Sequence, residues 1–205
     1  MKKSRIAGAA ALALATGAAA AAAFILGIDP PLTNVAGAFG AAALWIIISA
    51  AVKVDDAFYF SALAFIFLAS PVGSVLNLYR TWDPYDKVVH FISGFLLASF
   101  GMILVKSLMA VSVRKYGNIK RQAGPLPPEL SSFEADSRRI YALPMIFAAC
   151  MFSSGAAGLW EIFEFIADKM AGGEMQRGMA DTVTDMMAGN LGALLYGVSA
   201  WIIRR

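Results

Sequence analysis

The sequence predicts an all-α membrane protein, a single integral domain built as a bundle of six transmembrane helices with both termini in the cytoplasm. Three observations carry this. The 205 residues are 59% hydrophobic and 15% charged, with a mean hydropathy of +0.66, whereas soluble domains sit nearer 45–50% apolar and about 25% charged. Six runs approach the roughly 20 apolar residues that a bilayer core requires of a helix. Lys and Arg are divided unequally among the joints between those runs. The single cysteine, Cys150, excludes an internal disulfide framework and a cysteine-based zinc site.

The first run, 6–28, follows Met1-Lys2-Lys3-Ser4-Arg5 and is rich in alanine. A secretory signal core spans only about 7–15 residues. This one extends to Phe24-Ile25-Leu26, so it reads as a signal-anchor helix rather than a cleaved signal. The joint Asp29-Pro30-Pro31 leads to the second run, 35–52, and Lys53-Val54-Asp55-Asp56 to the third, 57–78. Arg80 to Lys87 leads to the fourth, 88–111. A stretch over 112–139, with Gly124-Pro125-Leu126-Pro127-Pro128 inside it, reads as an extended cytoplasmic loop. The fifth and sixth runs are 141–167 and 182–203. No internal repeat and no soluble domain fits between them.

Orientation follows from the basic residues in short loops. With the N-terminus inside, 13 of the 17 Lys and Arg are cytoplasmic, and only Arg80, Lys87, Lys169 and Arg177 lie outside. This split accounts for the pI near 9.1 without nucleic acid, so the bilayer is the expected partner. Tyr79, Trp82, Tyr85 and Trp160 toward the outer surface, and Tyr141 and Trp201 toward the inner one, suit interface anchors.

The acids run the other way: nine of 14, and the only histidine, fall toward the outside. Asp86 and His90 are four apart at the start of the fourth helix, hence on one face. Glu161 and Glu164 are three apart near the end of the fifth, and Asp181 and Asp185 four apart at the start of the sixth. An ionised group deep in a bilayer costs about 2.5–3.5 kcal/mol on insertion scales, so such residues usually face the interior and pair. Five carboxylates and one imidazole meet only four outer bases. Either some carboxylates stay protonated or a cation is bound.

Carboxylates with one histidine suit hard or borderline divalent metals, and pairs at i, i+3 and i, i+4 on facing helices are how bundles build such sites. Asp86, His90, Glu161, Glu164, Asp181 and Asp185 are therefore the candidate metal ligands. His90, Glu161 and Glu164 are the candidate catalytic groups. The bland alternative is a set of interface acids bonded to each other and bridged to Arg80, Lys87 and Arg177.

Ser154-x-x-x-Gly158 and Gly189-x-x-x-Ala193 are small-residue spacings that bring the fifth and sixth helices together. Asn77 and Asn190 could serve the site or only bond across helices. The ten methionines and Cys150 read as core or lipid-facing filler.

Asp86-Lys87-Val88-Val89-His90-Phe91, then Trp160-Glu161-Ile162-Phe163-Glu164-Phe165, then Gly178-Met179-Ala180-Asp181-Thr182-Val183-Thr184-Asp185-Met186-Met187 stand in a recognisable order. Over about residues 75–200 the chain resembles the YjdF-type family of small bacterial inner-membrane proteins of unknown function. More distantly it resembles the VanZ-like family associated with glycopeptide resistance. The VanZ-like pattern has Gln at the position of Glu164 and Asn at that of Gly189, so the YjdF-type pattern fits better. The resemblance implies a bacterial inner-membrane location and marks the same six polar positions.

Three functions are consistent with these residues. The first is a metal-assisted enzyme, or binding protein, for a lipid head group at the outer face, with His90 or Glu164 as general base. No HExxH, nucleophile elbow or Gly-rich phosphate loop accompanies it. The second is an accessory protein whose polar cluster only stabilises the bundle. The third is a proton- or cation-coupled transporter, although the charges gather at one face instead of crossing the membrane.

Overall fold

The computed structural model describes residues 2–28, 32–52, 54–123, 142–171 and 175–203, with side chains described outside 113–123 and position 171. The expected joint at 29–31, Lys53, the loop from 124 onward, Tyr141, Glu174, Arg204 and Arg205 lie outside the described residues. Among the described residues there is no strand. Six helices are long and apolar enough to cross a membrane. Large apolar side chains such as Leu159, Ile162 and Ile203 stand 67%, 55% and 84% exposed, a pattern that suits lipid and not water. The chain divides into two compact units, Met1–Ser93 and Gly94–Arg205.

The first unit holds α1 (Lys3–Ile25), α2 (Leu32–Ala51) and α3 (Asp56–Phe67), a π-helical segment (Leu68–Val75), the short α4 (Leu78–Thr81) and the opening turns of α5 (Pro84–Ala123). Alanine makes α1 intrinsically helical. Leu12, Thr16, Ala19 and Ala23 form its buried face, which meets Ala38 of α2 and Val75. Small side chains let membrane helices approach closely. Asp55 caps α3, accepting the Phe58 amide at 2.7 Å. Asp56 beside it receives Lys2 Nζ and Arg5 Nη2, each at 2.6 Å. Arg5 also donates to the Val54 carbonyl and lies 4.9 Å from the Tyr59 ring centroid. The start of α1 and the joint before α3 therefore sit at one end of this unit.

At its other end the helix following α3 widens. Pro71 lacks the amide that an α-turn needs and its ring crowds the preceding turn. The chain answers with a π-type bond from Leu76 N to the Pro71 carbonyl, 3.0 Å. Asn77 then takes a left-handed φ of 64°, one of the few non-glycine residues that tolerates it, and stops the helix. Tyr79, Trp82 and Tyr85 cluster here, with ring centroids 5.3 and 5.9 Å apart along the pairs to Tyr85. Pro84 opens α5 at the position where its missing amide costs nothing.

The second unit holds the remainder of α5, α6 (Ala142–Ala171) and α7 (Met179–Ile203). The fourth helix runs on to Ala123, into residues 112–123 that composition assigned to a loop. That stretch carries Lys, Arg, Gln and Ala, good helix formers, around Gly117-Asn118, and its first proline comes only at Pro125. Gly101 of α5 would place a Cβ 3.1 Å from the Ala149 carbonyl, and Met102 packs with Ile146 and Ala149. Gly197 of α7 faces Cys150 and Ile146. Within this unit α5 and α7 thus run parallel, with α6 antiparallel to both.

Candidate functional site

In the first unit Asp86 and His90 project from the first turns of α5 as the i, i+4 spacing requires. Each is 8% exposed. His90 Nε2 lies 3.5 Å from Asp86 Oδ1, and Lys87 Nζ approaches the other carboxylate oxygen at 4.0 Å. Ser93 Oγ donates to the His90 carbonyl at 2.7 Å.

In the second unit the three helices meet at one point. A Cβ on Gly94 would collide with the Gly189 backbone of α7. The Gly94 carbonyl accepts a 2.9 Å bond from Ser153 Oγ of α6, a side chain only 1% exposed. No motif announced this junction. The signal that could have found it is the small, buried stripe Gly94, Ala98, Gly101 along α5, a spacing of four and three residues that puts all three on one face.

Just beyond the junction lie buried acids. Asp185, one turn from Gly189 along α7, is 1% exposed. Glu161, two turns from Ser153 along α6, is 5% exposed with both carboxylate oxygens buried. The other members of the acidic pairs sit differently. Glu164 is half-buried and accepts the Trp160 indole N–H at 2.6 Å. Asp181 lies 3.6 Å from Arg177 Nε and accepts the Arg177 amide at 3.3 Å. Asp86 beside Lys87 and Asp181 beside Arg177 are the pairs that the interface-acid alternative requires. Glu161 and Asp185 are the more deeply buried of the acids, at 5% and 1% exposure.

Asp168, outside the candidate set, is structural. Its carboxylate accepts the amides of Met175 and Gln176 at 2.9 and 2.7 Å and so ties the α6–α7 connection. Asn190 also bonds across helices: its carboxamide oxygen takes the Ser154 hydroxyl, and its NH2 reaches the Met186 carbonyl at 2.8 Å. The small-residue spacings divide their work. Ser154 and Ala193 lie on the α6–α7 seam, where Cys150 Sγ donates to the Ala193 carbonyl at 3.4 Å. Gly189 serves α5 instead, and Gly158 meets only the Met186 methyl at 3.9 Å.

These features define a multi-pass helical membrane protein with buried titratable groups in each unit, Asp86 and His90 in the first and Glu161 and Asp185 in the second. The chain belongs to the family described as "Predicted membrane protein (DUF2238)", whose model matches residues 9–205. The match takes in α1 and α2, so the family reaches further toward the N-terminus than residues 75–200. No curated protein and no solved structure matches the chain.

Proposed function

We propose that the chain holds a divalent cation at the acid-rich end of its helices and uses it to bind, or to hydrolyse, a lipid head group. The observation that carries this reading is the junction of Gly94, Ser153 and Gly189. An α-helix rises 1.5 Å per residue. One turn before Gly94 on α5 stands His90, and one turn before Gly189 on the parallel α7 stands Asp185, each about 6 Å along its axis. About 12 Å from the junction come Asp86, Asp181 and, on antiparallel α6, Glu161. Asp86, His90 and Asp185 make up the proposed ligand set, with Glu161 and Asp181 beside them. Glu164, held by Trp160, is the outlying member.

One imidazole with carboxylates suits Zn, Mn or Fe, or Mg with water completing the shell. A bound cation also offsets the cost of placing Asp185 and Glu161 out of water, which a single buried carboxylate meets only by pairing or by staying protonated. Such an ion would polarise a phosphoryl or ester oxygen and acidify water, leaving Glu161, outside the ligand set, to accept the proton. Counted by Lys and Arg, the site end faces outward and both termini are cytoplasmic. The resemblance to the YjdF-type family of bacterial inner-membrane proteins agrees with that placement and adds no activity; the VanZ-like likeness carries no argument for one.

Elemental analysis of the purified protein tests the reading. Wild type should carry about one divalent ion per chain, and His90→Ala and Glu161→Gln should each lose about tenfold or more of the affinity. A folded wild type that stays metal-free after dialysis against Zn, Mn, Fe and Mg salts would sink it.

A further inference from the structure

Gly94 and Gly155 are both helical glycines, yet only one is required by the protein's own packing. A Cβ on Gly94 meets the Gly189 backbone, whereas a Cβ on Gly155 meets nothing within 4 Å. Gly158, one turn on, is nearly as open. A glycine inside a helix costs about 1 kcal/mol relative to alanine, and among the described residues only the Met186 methyl, 3.9 Å from a Cβ on Gly158, approaches the space these two leave. Together they floor an open groove between α6 and α7 of about 540 Å3. Its walls are apolar, with Ile162, Phe165 and Met186 among them. One end is polar: Gln176 and Thr182, joined by a 2.9 Å side-chain bond, with Glu161 alongside.

The acids outnumber the bases at that end. Glu161, Glu164, Asp168, Asp181 and Asp185 stand against Lys169 and Arg177 among the described residues of the second unit. We propose that the groove seats a membrane amphiphile with a cationic, ammonium-bearing head. One alkyl chain lies along Gly155, Gly158, Ile162 and Met186, and the head sits at the Gln176–Thr182 end under the field of Glu161. An anionic head would meet like charge there. A second copy of this chain docked by two-fold symmetry would set the same acids face to face. An amphiphile brings the opposite charge and is already in the bilayer.

The proposal shares Glu161 with the proposed cation site but needs no metal, and the groove floor at Gly155 belongs to it alone. It is tested by binding of dodecyltrimethylammonium, dodecyl sulfate and dodecyl maltoside to the full-length protein in a neutral micelle, with stoichiometry read by native mass spectrometry. The ammonium amphiphile should bind one per chain, about tenfold or more tighter than the sulfate. Gly155→Leu fills the groove without a steric clash and should melt no lower than wild type, yet lose that binding about tenfold or more. Glu161→Gln should keep the chain and lose the preference for the cationic head. Equal affinity for the two charged heads, or unchanged binding in Gly155→Leu, overturns the proposal. So does a Gly155→Leu protein whose only change is from dimer to monomer, which would make the groove an interface between copies. Metal content measured on the same samples separates this outcome from the cation reading, because Gly155 is no ligand.

Discussion

Asp56 and Asp185 are the same residue in opposite settings. Asp56 opens α3 with its side chain 38% exposed and two bases at 2.6 Å, so it ties the start of α1 to the joint before α3 and keeps most of its hydration. Asp185 is 1% exposed, on the face of α7 that presents Gly189 to α5. An exposed acid among bases is ordinary helix-end furniture, and its removal moves little. A carboxylate taken out of water is held against a cost, and the usual reason is that it acts on something. The difference lies in their surroundings and not in the residue type.

Substitutions at the two kinds of position should differ in size and in salt dependence. The largest effect should come from Gly94→Val, because the added carbons must displace the Gly189 backbone, which cannot swing aside as a side chain can. A loss of about 3 kcal/mol or more is expected, seen as failure to recover folded protein or as a steep fall in melting temperature in micelles. Asp185→Asn keeps the size and shape of the side chain and, measured in chelator, should leave stability within about 1 kcal/mol of wild type. A clear fall would mean that Asp185 is there to hold the helices together.

Ser153→Ala removes the bond to the Gly94 carbonyl. It should cost about 0.6 kcal/mol, the scale of a typical interhelical hydrogen bond in a membrane, measured by the same melting curves. Asp56→Asn should change the melting temperature least, and the change should shrink as salt is raised. An effect on Asp56→Asn as large as that on Gly94→Val would erase the contrast.

The six spans were legible because lipid imposes a requirement that single residues report: about 20 apolar positions per helix. Asp86 with His90 was legible because i, i+4 is a local rule, and the 3.5 Å pair follows from one helix alone. The fate of Glu164 was not. Its spacing from Glu161 satisfies the same-face rule, but Trp160 one turn away offers an indole N–H and takes it. Nor was the π-segment at Pro71, where hydropathy is continuous and only the missing amide disturbs the ladder. The role of Gly189 was half legible: its spacing to Ala193 suggested a close helix contact, but the partner is Gly94 of α5, chosen by three-dimensional packing that no local pattern encodes. The end of α5 was misplaced because hydropathy falls at the membrane boundary while helix propensity persists to Ala123.

The proposed cation site requires the His90 turn of α5 to come within reach of the Asp185 turn of α7, and paired cysteines in a Cys150→Ser background check that requirement. His90→Cys combined with Asp185→Cys should join in membranes through a short bifunctional thiol reagent, identified as a linked peptide pair by mass spectrometry. Phe91→Cys, one position round the helix and 37% exposed, should not link to Asp185→Cys. A folded protein in which the His90–Asp185 pair fails to link, or links no better than the Phe91 control, would contradict the account.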